Sequence, residues 1–331
     1  MHTEHITTIL DLLASSGIEH DPQSIAKHHA QGIMSHVYTI SSRLGTLIIH
    51  YASFSPTQEH FHPWEKLKPI SDFLRTIPGV PAAEVPLTVK LPHHYIVVQK
   101  MLPGHSAGNI TMQNDEIVIE WNEPPEHYEQ RIEEIVAAIH ATPLKGFGNL
   151  IIKEGILRGE HDSWEQFLTT EVPFWIEGIA HADTVHNIPH DGVPESISAF
   201  FHKVLPFITP LERASLVSFD IMNPSNILVD NGEITGVVDW EWALAADPAW
   251  EFSYANPFSR THYFSRFPHL QNKESQDLFN KKVRIYEYLL HTMWTYGVSG
   301  TREGNIFSAC RGRLKKKLVH ASELFKELGI G

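Results

Sequence analysis

Three oxygen-bearing side chains, Asp220, Asn226 and Asp239, stand within the segment LVSFDIMNPSNILVDNGEITGVVDW at 216–240. An acid in a loop, an amide a few residues on and a second acid after an apolar run are the groups that phosphoryl transfer uses. One carboxylate orients a substrate hydroxyl, while the amide oxygen and the other carboxylate offer hard ligands to Mg2+ on nucleotide phosphates. Such chemistry needs positioning and charge neutralisation more than a strong base. Asp and Asn also gather at turns because they tolerate left-handed backbone and form Asx turns. The joint arrangement therefore carries the reading, and no single residue does.

That arrangement follows from strand pairing. Residues 227–238 are apolar and β-branched at both ends, with the strong turn signal Asp230-Asn-Gly232 between them. A hairpin here sets Asn226 and Asp239 together at its open end. Upstream, Ile6, Ile9, Leu10, Leu12 and Leu13 fit one face of a helix over 2–15, which Gly17 ends. A second short helix is expected over 22–29. The runs 37–40 and 46–51 flank a Ser-Ser-Arg-Leu-Gly turn and read as a hairpin, as do 87–90 and 95–101. Residues 64–76 look helical, Pro69 implying a kink or a later start. Leu102-Pro-Gly104 breaks the pattern, so the boundary falls there, giving parts 1–103 and 104–331. Strands are expected to dominate before it and helices after it, over 126–141, 162–181, 195–207, 275–297 and 305–328.

At 331 residues the chain is long enough for two lobes. It has 42% hydrophobic and 20% charged residues, the composition of an ordinary soluble globule. The single cysteine, Cys310, excludes an intramolecular disulfide and a thiolate zinc cluster, and reads as a buried apolar residue. No apolar run reaches the roughly 18 residues of a membrane span, and the N-terminus lacks the basic start of a secretory signal. A cytoplasmic protein without a membrane partner is expected. A net charge of −13 argues against a nucleic-acid partner; oligomeric state is not legible. The histidines at 181, 186 and 190 are read as structural because Pro189 interrupts the helix a metal site would need. Trp240, Trp242 and Trp250 are expected in the core and Asp247 as a helix cap.

The strings NPSNILVD at 223–230 and ITGVVDWE at 234–241, with Asp247-Pro248, resemble the catalytic segment of the aminoglycoside phosphotransferase and choline kinase-like superfamily, nearest to hygromycin-type members. GIMSHVYTI at 32–40 is similar to that family's phosphate-covering loop, and YIVVQKMLPG at 95–104 to its hinge. Ile139-His140 before Gly146-Phe-Gly148 and the region 159–168 also match. The resemblance implies an α+β, protein-kinase-like bilobal fold, with a small β-rich N-lobe and a larger, mostly helical C-lobe. It implies an ATP-dependent O-phosphotransferase acting on a small hydroxylated, possibly cationic acceptor such as an aminoglycoside, with ATP and Mg2+ as cofactors. By position Asp220 is the catalytic acid, and Asn226 and Asp239 are the metal ligands. Gly32 and Ser35 cover the phosphates, and the backbone from Lys100 to Leu102 meets adenine. Glu65 is the helix carboxylate that pairs with the phosphate-binding lysine.

The chain departs from the family pattern at three places. His50 stands where the phosphate-gripping lysine is usual, and histidine is shorter and mostly neutral at pH 7. Ser218 replaces the usual histidine two residues before the catalytic acid. Asp220 to Asn226 is one position longer than usual, which implies a bulge or a rewired loop. These departures favour an alternative, a catalytically impaired, pseudokinase-like nucleotide-binding protein. The acceptor is expected against an acidic, aromatic wall from 160–190 and 251–265, including Glu160, Asp162, Trp164, Glu251 and Tyr254.

Overall fold

The computed structural model describes residues 2–28, 35–53, 64–92, 94–113, 116–124, 126–189, 191–254, 258–299 and 304–329. Its N-terminal part is an antiparallel sheet of β1 (Ala26–Lys27), β2 (Ser35–Ser42), β3 (Gly45–Ser53), β4 (Leu87–Lys90) and β5 (His94–Lys100), in the order β1-β2-β3-β5-β4. Helix α1 (His2–Ser15) buries Ile9 and Leu13, one turn apart, against Tyr38, Ile40, Leu47 and Ile49. The short helix expected over 22–29 is replaced by a single 3-10 turn, Pro22–Ser24, capped by Asp21 and followed by β1. Pairing of Ala26 with Thr39 and Lys27 with Tyr38 supplies backbone bonds that so short a helix lacks.

Helix α2 (Leu67–Arg75) starts later than the apolar pattern implies, which sets Pro69 in the first turn, where no amide hydrogen is required. Its buried Ile70 and Leu74 join Ile77 and Val80 in the core of the C-terminal part. This helix thereby ties the two parts together.

Gly104 follows the last strand of the N-terminal sheet. Its φ is +100°, and a Cβ there would lie 2.3 Å from the Val229 carbonyl oxygen, so only glycine fits. Beyond it more strands accompany the helices than the apolar pattern implies. Strands β6 (His105–Ser106), β7 (Gly108–Gln113) and β8 (Glu116–Trp121) come first, then α3 (Glu126–Ala141) as anticipated. Next are β9 (Pro143–Leu144) and the hairpin of β10 (Phe147–Lys153) with β11 (Ile156–His161). Helices α4 (Trp164–Val185) and α5 (Val193–Ile208) lead to β12 (Ala214–Val217), the hairpin of β13 (Ile227–Asp230) and β14 (Glu233–Val237), and β15 (Leu244–Ala246). A sheet ordered β11-β10-β15-β12-β9 sits inside the helical part. The chain ends in α6 (Thr261–Ser265), α7 (Lys273–Ser299), α8 (Gly304–Val319) and α9 (Ala321–Leu328), the last two separated at His320.

Among the described residues no helix is long and apolar enough to cross a membrane. Trp240, Trp242, Trp250 and Cys310 are buried, and Asp247 caps the turn after it by accepting from the Ala249 amide at 3.0 Å.

Candidate active site

Strand β12, buried along its length, delivers Ser218 and then Asp220 to the edge of the core. The chain next folds through successive tight turns. The Ile221 amide donates to the Ser218 carbonyl at 3.0 Å, Asn223 to Asp220 at 3.0 Å and Asn226 to Asn223 at 2.9 Å. Pro224 opens a 3-10 turn, Pro224–Asn226, and the Asn223 side chain accepts from the Ser225 amide at 3.0 Å. The extra residue between Asp220 and Asn226 is absorbed in these turns, and no bulge separates the two. The Asn226 side-chain nitrogen donates to the Asp220 carbonyl at 3.1 Å.

Ser218 takes over the task of holding the acid. Its hydroxyl donates to Asp220 Oδ1 at 3.0 Å, and its amide donates to Glu251 Oε2 at 2.7 Å. Glu251, fully buried, also accepts from the Ile221 amide and so fastens the loop from beneath. Burial pushes its carboxyl well above the ordinary range.

The β13–β14 hairpin forms with the expected turn, and Ile227 pairs with Val237. The Val238 amide donates to the Asn226 carbonyl at 3.0 Å, so Asp239 follows immediately beyond the last rung. Asp239 has φ +73°, a left-handed conformation that Asp adopts more readily than most residues, and it is exposed. Burial first, and the Asp239 charge second, hold both the Asp220 and Glu241 carboxyls well above their usual range. Glu241 also shares a hydrogen bond with Asp239. The structure thus gathers Asp220, Asn226 and Asp239, and adds Glu241, which sequence reasoning passed over although it lies two residues after Asp239.

This donor set fits Mg2+. Mutually repelling carboxylates set near one another favour a divalent cation, and Asn226 Oδ1 and the Asp239 carboxylate are hard oxygens. Among the described residues no three or more His, Cys, Asp or Glu side chains are grouped to hold a metal by themselves. An ion that takes few protein ligands and completes its shell with phosphate and water suits that arrangement.

Of the residues expected to meet the nucleotide, Gly32, with the rest of its loop before Ser35, lies outside the described residues. Ser35 Oγ is 3.4 Å from His50 Nδ1 across the β2–β3 ladder. Burial lowers the His50 pKa to about 4, with Asp239 opposing, so the ring is neutral at pH 7. Glu65 is turned to the β4–β5 hairpin, where it accepts from Lys90 at 3.0 Å and from the Tyr95 hydroxyl. Lys66, one residue on, is the side chain that goes inward, 2% exposed, with Nζ donating to the Ala243 carbonyl at 2.9 Å. No sequence signal distinguished these neighbours. In the segment expected to meet adenine the Lys100 amide donates to the Glu84 carbonyl and the Met101 amide to the Thr46 carbonyl, which fixes the backbone. The Lys100 side chain pairs with Glu84 at 2.8 Å. Leu102 packs on Gly236, where a Cβ would lie 2.6 Å from Leu102 Cδ1, so the hinge rests on the β13–β14 hairpin.

The expected acidic wall is corrected. Trp164 is wholly buried and donates to the Tyr286 hydroxyl at 2.9 Å, and Glu251 is committed to the Ser218–Ile221 loop. Glu160, near the end of β11, and Asp162, between β11 and α4, are exposed. Of the five, Tyr254 stands near the acid: it packs edge-on against Phe219 and feels the Asp220 charge. Phe219, Tyr254, Trp294, His291 and Arg313 line a small cavity there. Burial, aided by Lys317 and Arg313, lowers the His291 pKa to about 4. The described wall next to Phe219 is aromatic and non-acidic.

Residues 134–268, which include Asp220, Asn226 and Asp239, match the model of the phosphotransferase enzyme family known as APH. No curated protein sequence matches the chain. Among solved structures, a thermostable mutant of aminoglycoside phosphotransferase APH(4)-Ia in ternary complex with AMP-PNP and hygromycin B superposes with a TM-score of 0.56 at 16% identity, over 89% of this chain and 93% of that one. Wild-type aminoglycoside 2′-phosphotransferase-IIIa in its GDP complex gives 0.60 at 13% identity, covering 96% and 98%. A putative fructosamine-3-kinase from Haemophilus somnus gives 0.56 at 10% identity, covering 92% and 96%. At such identities the likeness is one of fold. The chain therefore shares the protein-kinase-like fold of the aminoglycoside phosphotransferases along nearly its whole length, and its residues 134–268 match the APH phosphotransferase family model.

Proposed function

We propose that the protein transfers the γ-phosphoryl group of ATP to a hydroxyl of a small molecule. The observation that carries this reading is the Asp220 carboxylate, held by Ser218 and close enough to feel the Asp239 charge, while Asn226 bonds to its backbone. Asp220 accepts the hydrogen bond of the acceptor hydroxyl and aims its oxygen in line. Its raised pKa helps it take up the proton as the hydroxyl attacks. Asn226 and Asp239 would hold Mg2+, which when bound neutralises charge on the phosphates. Ser35 and His50 lie on the phosphate side, and residues 100–102 on the adenine side.

AMP-PNP in one structural relative and GDP in another support a purine nucleotide as donor. Hygromycin B in the first makes aminoglycosides the natural class to try as acceptors. The aromatic wall with Arg313 favours wider screening, since it offers a polycation no carboxylate among the described residues lining it. A second reading, nucleotide binding without efficient turnover, is favoured by the neutral ring at His50.

The test is ADP release from Mg·ATP with aminoglycosides, choline and sugars, by the wild type and Asp220→Asn. The active-kinase reading expects acceptor-dependent release that falls roughly a thousandfold in the variant, with AMP-PNP affinity within about threefold of wild type. Binding with no release on any acceptor supports the second reading, and an equal loss of binding and release counts against the role of Asp220.

A further inference from the structure

A buried lysine, Lys66, stands at the start of α2, where the family pattern places no cation. Resting on the phosphotransferase reading, we propose that Lys66, at the start of α2, is the residue that grips the nucleotide phosphates, in place of a lysine at the His50 position. The geometry comes from three contacts. Trp64, two residues before Lys66, sits 6.1 Å from the His50 ring, centroid to centroid, so this turn borders the strand that would carry the family lysine. Lys66 Nζ is bonded to the carbonyl of Ala243, four residues after Asp239. Its ammonium also feels the Glu241 charge, and Glu241 in turn is hydrogen-bonded to Asp239. His50, Asp239, Glu241 and Lys66 therefore form one continuous set around the place where the phosphates enter.

The other lysines of this region are engaged elsewhere. Lys68 pairs with Asp72 at 2.9 Å, Lys90 with Glu65 and Lys100 with Glu84. Lys66 differs in being buried with a single hydrogen bond among the described residues, whereas an ammonium has three donors. Burying a charge with so few partners is costly, and a packed apolar side chain of similar length is as stable or more so. A residue held at that cost suits a ligand that supplies the missing acceptors. The phosphate oxygens of a nucleotide provide them, and a lysine serves as their point charge. Burial draws the Lys66 pKa down to about 7 while Glu241 opposes, and an entering polyanion favours the charged form. The charge inversion between β3 and α2 is then a relocation: the strand holds a neutral ring, and the turn before the helix holds the cation.

The experiment compares Mg·AMP-PNP and adenosine binding by calorimetry in wild type, Lys66→Met and Lys66→Met/His50→Lys, with the melting temperature of each. The expected result is a loss of at least about tenfold for Mg·AMP-PNP in Lys66→Met, with adenosine affinity unchanged. Its melting temperature should be unchanged or raised, and His50→Lys should restore much of the nucleotide affinity. Equal losses for both ligands with a lowered melting temperature would make Lys66 a mere latch on Ala243 and overturn the proposal, as would undiminished Mg·AMP-PNP affinity. Should Lys66→Met fail to fold, the wild type decides the matter. An acyl phosphate of ATP hands its acyl group to the amine beside the phosphates; labelling at Lys66 supports the proposal, and labelling only at other lysines overturns it. If the wild type binds Mg·AMP-PNP but the variant is unaffected, this inference alone fails. If the wild type binds no nucleotide, the phosphotransferase reading fails with it.

Discussion

Ser218 holds the Asp220 carboxylate with one hydroxyl hydrogen bond, while its amide is bound separately by Glu251. Aiming and anchoring are therefore separable. Ser218→Ala keeps the anchor and loses the aim, so kcat should fall about tenfold, the worth of roughly 1–1.5 kcal/mol, with the KM for nucleotide unchanged. Steady-state kinetics measure the split, and an equal change in both constants would mean that the loop itself had moved. Asp220, Asn226 and Asp239 were legible in the sequence because their types and the Asp230-Asn-Gly232 turn dictate a shared place. Glu65 and Lys66 were not. Adjacent residues entering a helix point about 100° apart, and the phase was set by a start at Leu67 that the apolar pattern, running from Trp64, did not reveal. The acidic wall failed for a related reason: Trp164 and Glu251 look like surface recognition groups by type, and packing placed both inside.

The β13–β14 hairpin is the element on which the site depends, and the hinge crosses it at two glycines. Gly104 lies against the Val229 carbonyl and Gly236 against Leu102, while the Thr235 hydroxyl donates to the Pro103 carbonyl at 2.6 Å. Gly232, at the hairpin tip, has φ +80° with nothing within 4 Å of a would-be Cβ. Gly104→Ala should cost about 3 kcal/mol, from strain and collision together, and Gly232→Ala about 1 kcal/mol, from strain alone. Chemical denaturation measures both, and equal costs would mean that the crossing is looser than described. Long periodic elements were readable: the helix expected over 126–141 forms as α3, and both N-terminal hairpins form. Among the short strands of the C-terminal part the β13–β14 hairpin was readable from its turn, whereas β15 was not: it is buried on every side, so it carries no alternation, and its partners β10 and β12 are distant in sequence. The β10–β11 hairpin did carry a signal in its Glu154-Gly155 turn, which the expectation of helices overrode.

At the scale of the whole molecule, buried ionisable groups tie stability to pH. His140, in α3, is 1% exposed, and burial lowers its pKa to about 3. The unfolded chain then takes up the proton first as pH falls through about 6.5, so this residue lowers stability progressively from there down to about pH 3. By pH 5 the loss is about 2 kcal/mol. Glu251, raised by burial, has the opposite sign and gives up stability as pH rises. Comparing variants isolates the histidine: the stability gap between wild type and His140→Asn should narrow by about 2 kcal/mol from pH 7 to pH 5, and a constant gap would contradict its burial as a neutral ring. The phosphotransferase reading has Asp239 draw a divalent cation onto the nucleotide phosphates. Calorimetry of AMP-PNP with and without Mg2+, on wild type and Asp239→Ala, tests this most directly. Mg2+ should tighten binding at least about tenfold in the wild type and leave the variant unaltered; an equal Mg2+ enhancement in both proteins would contradict the account.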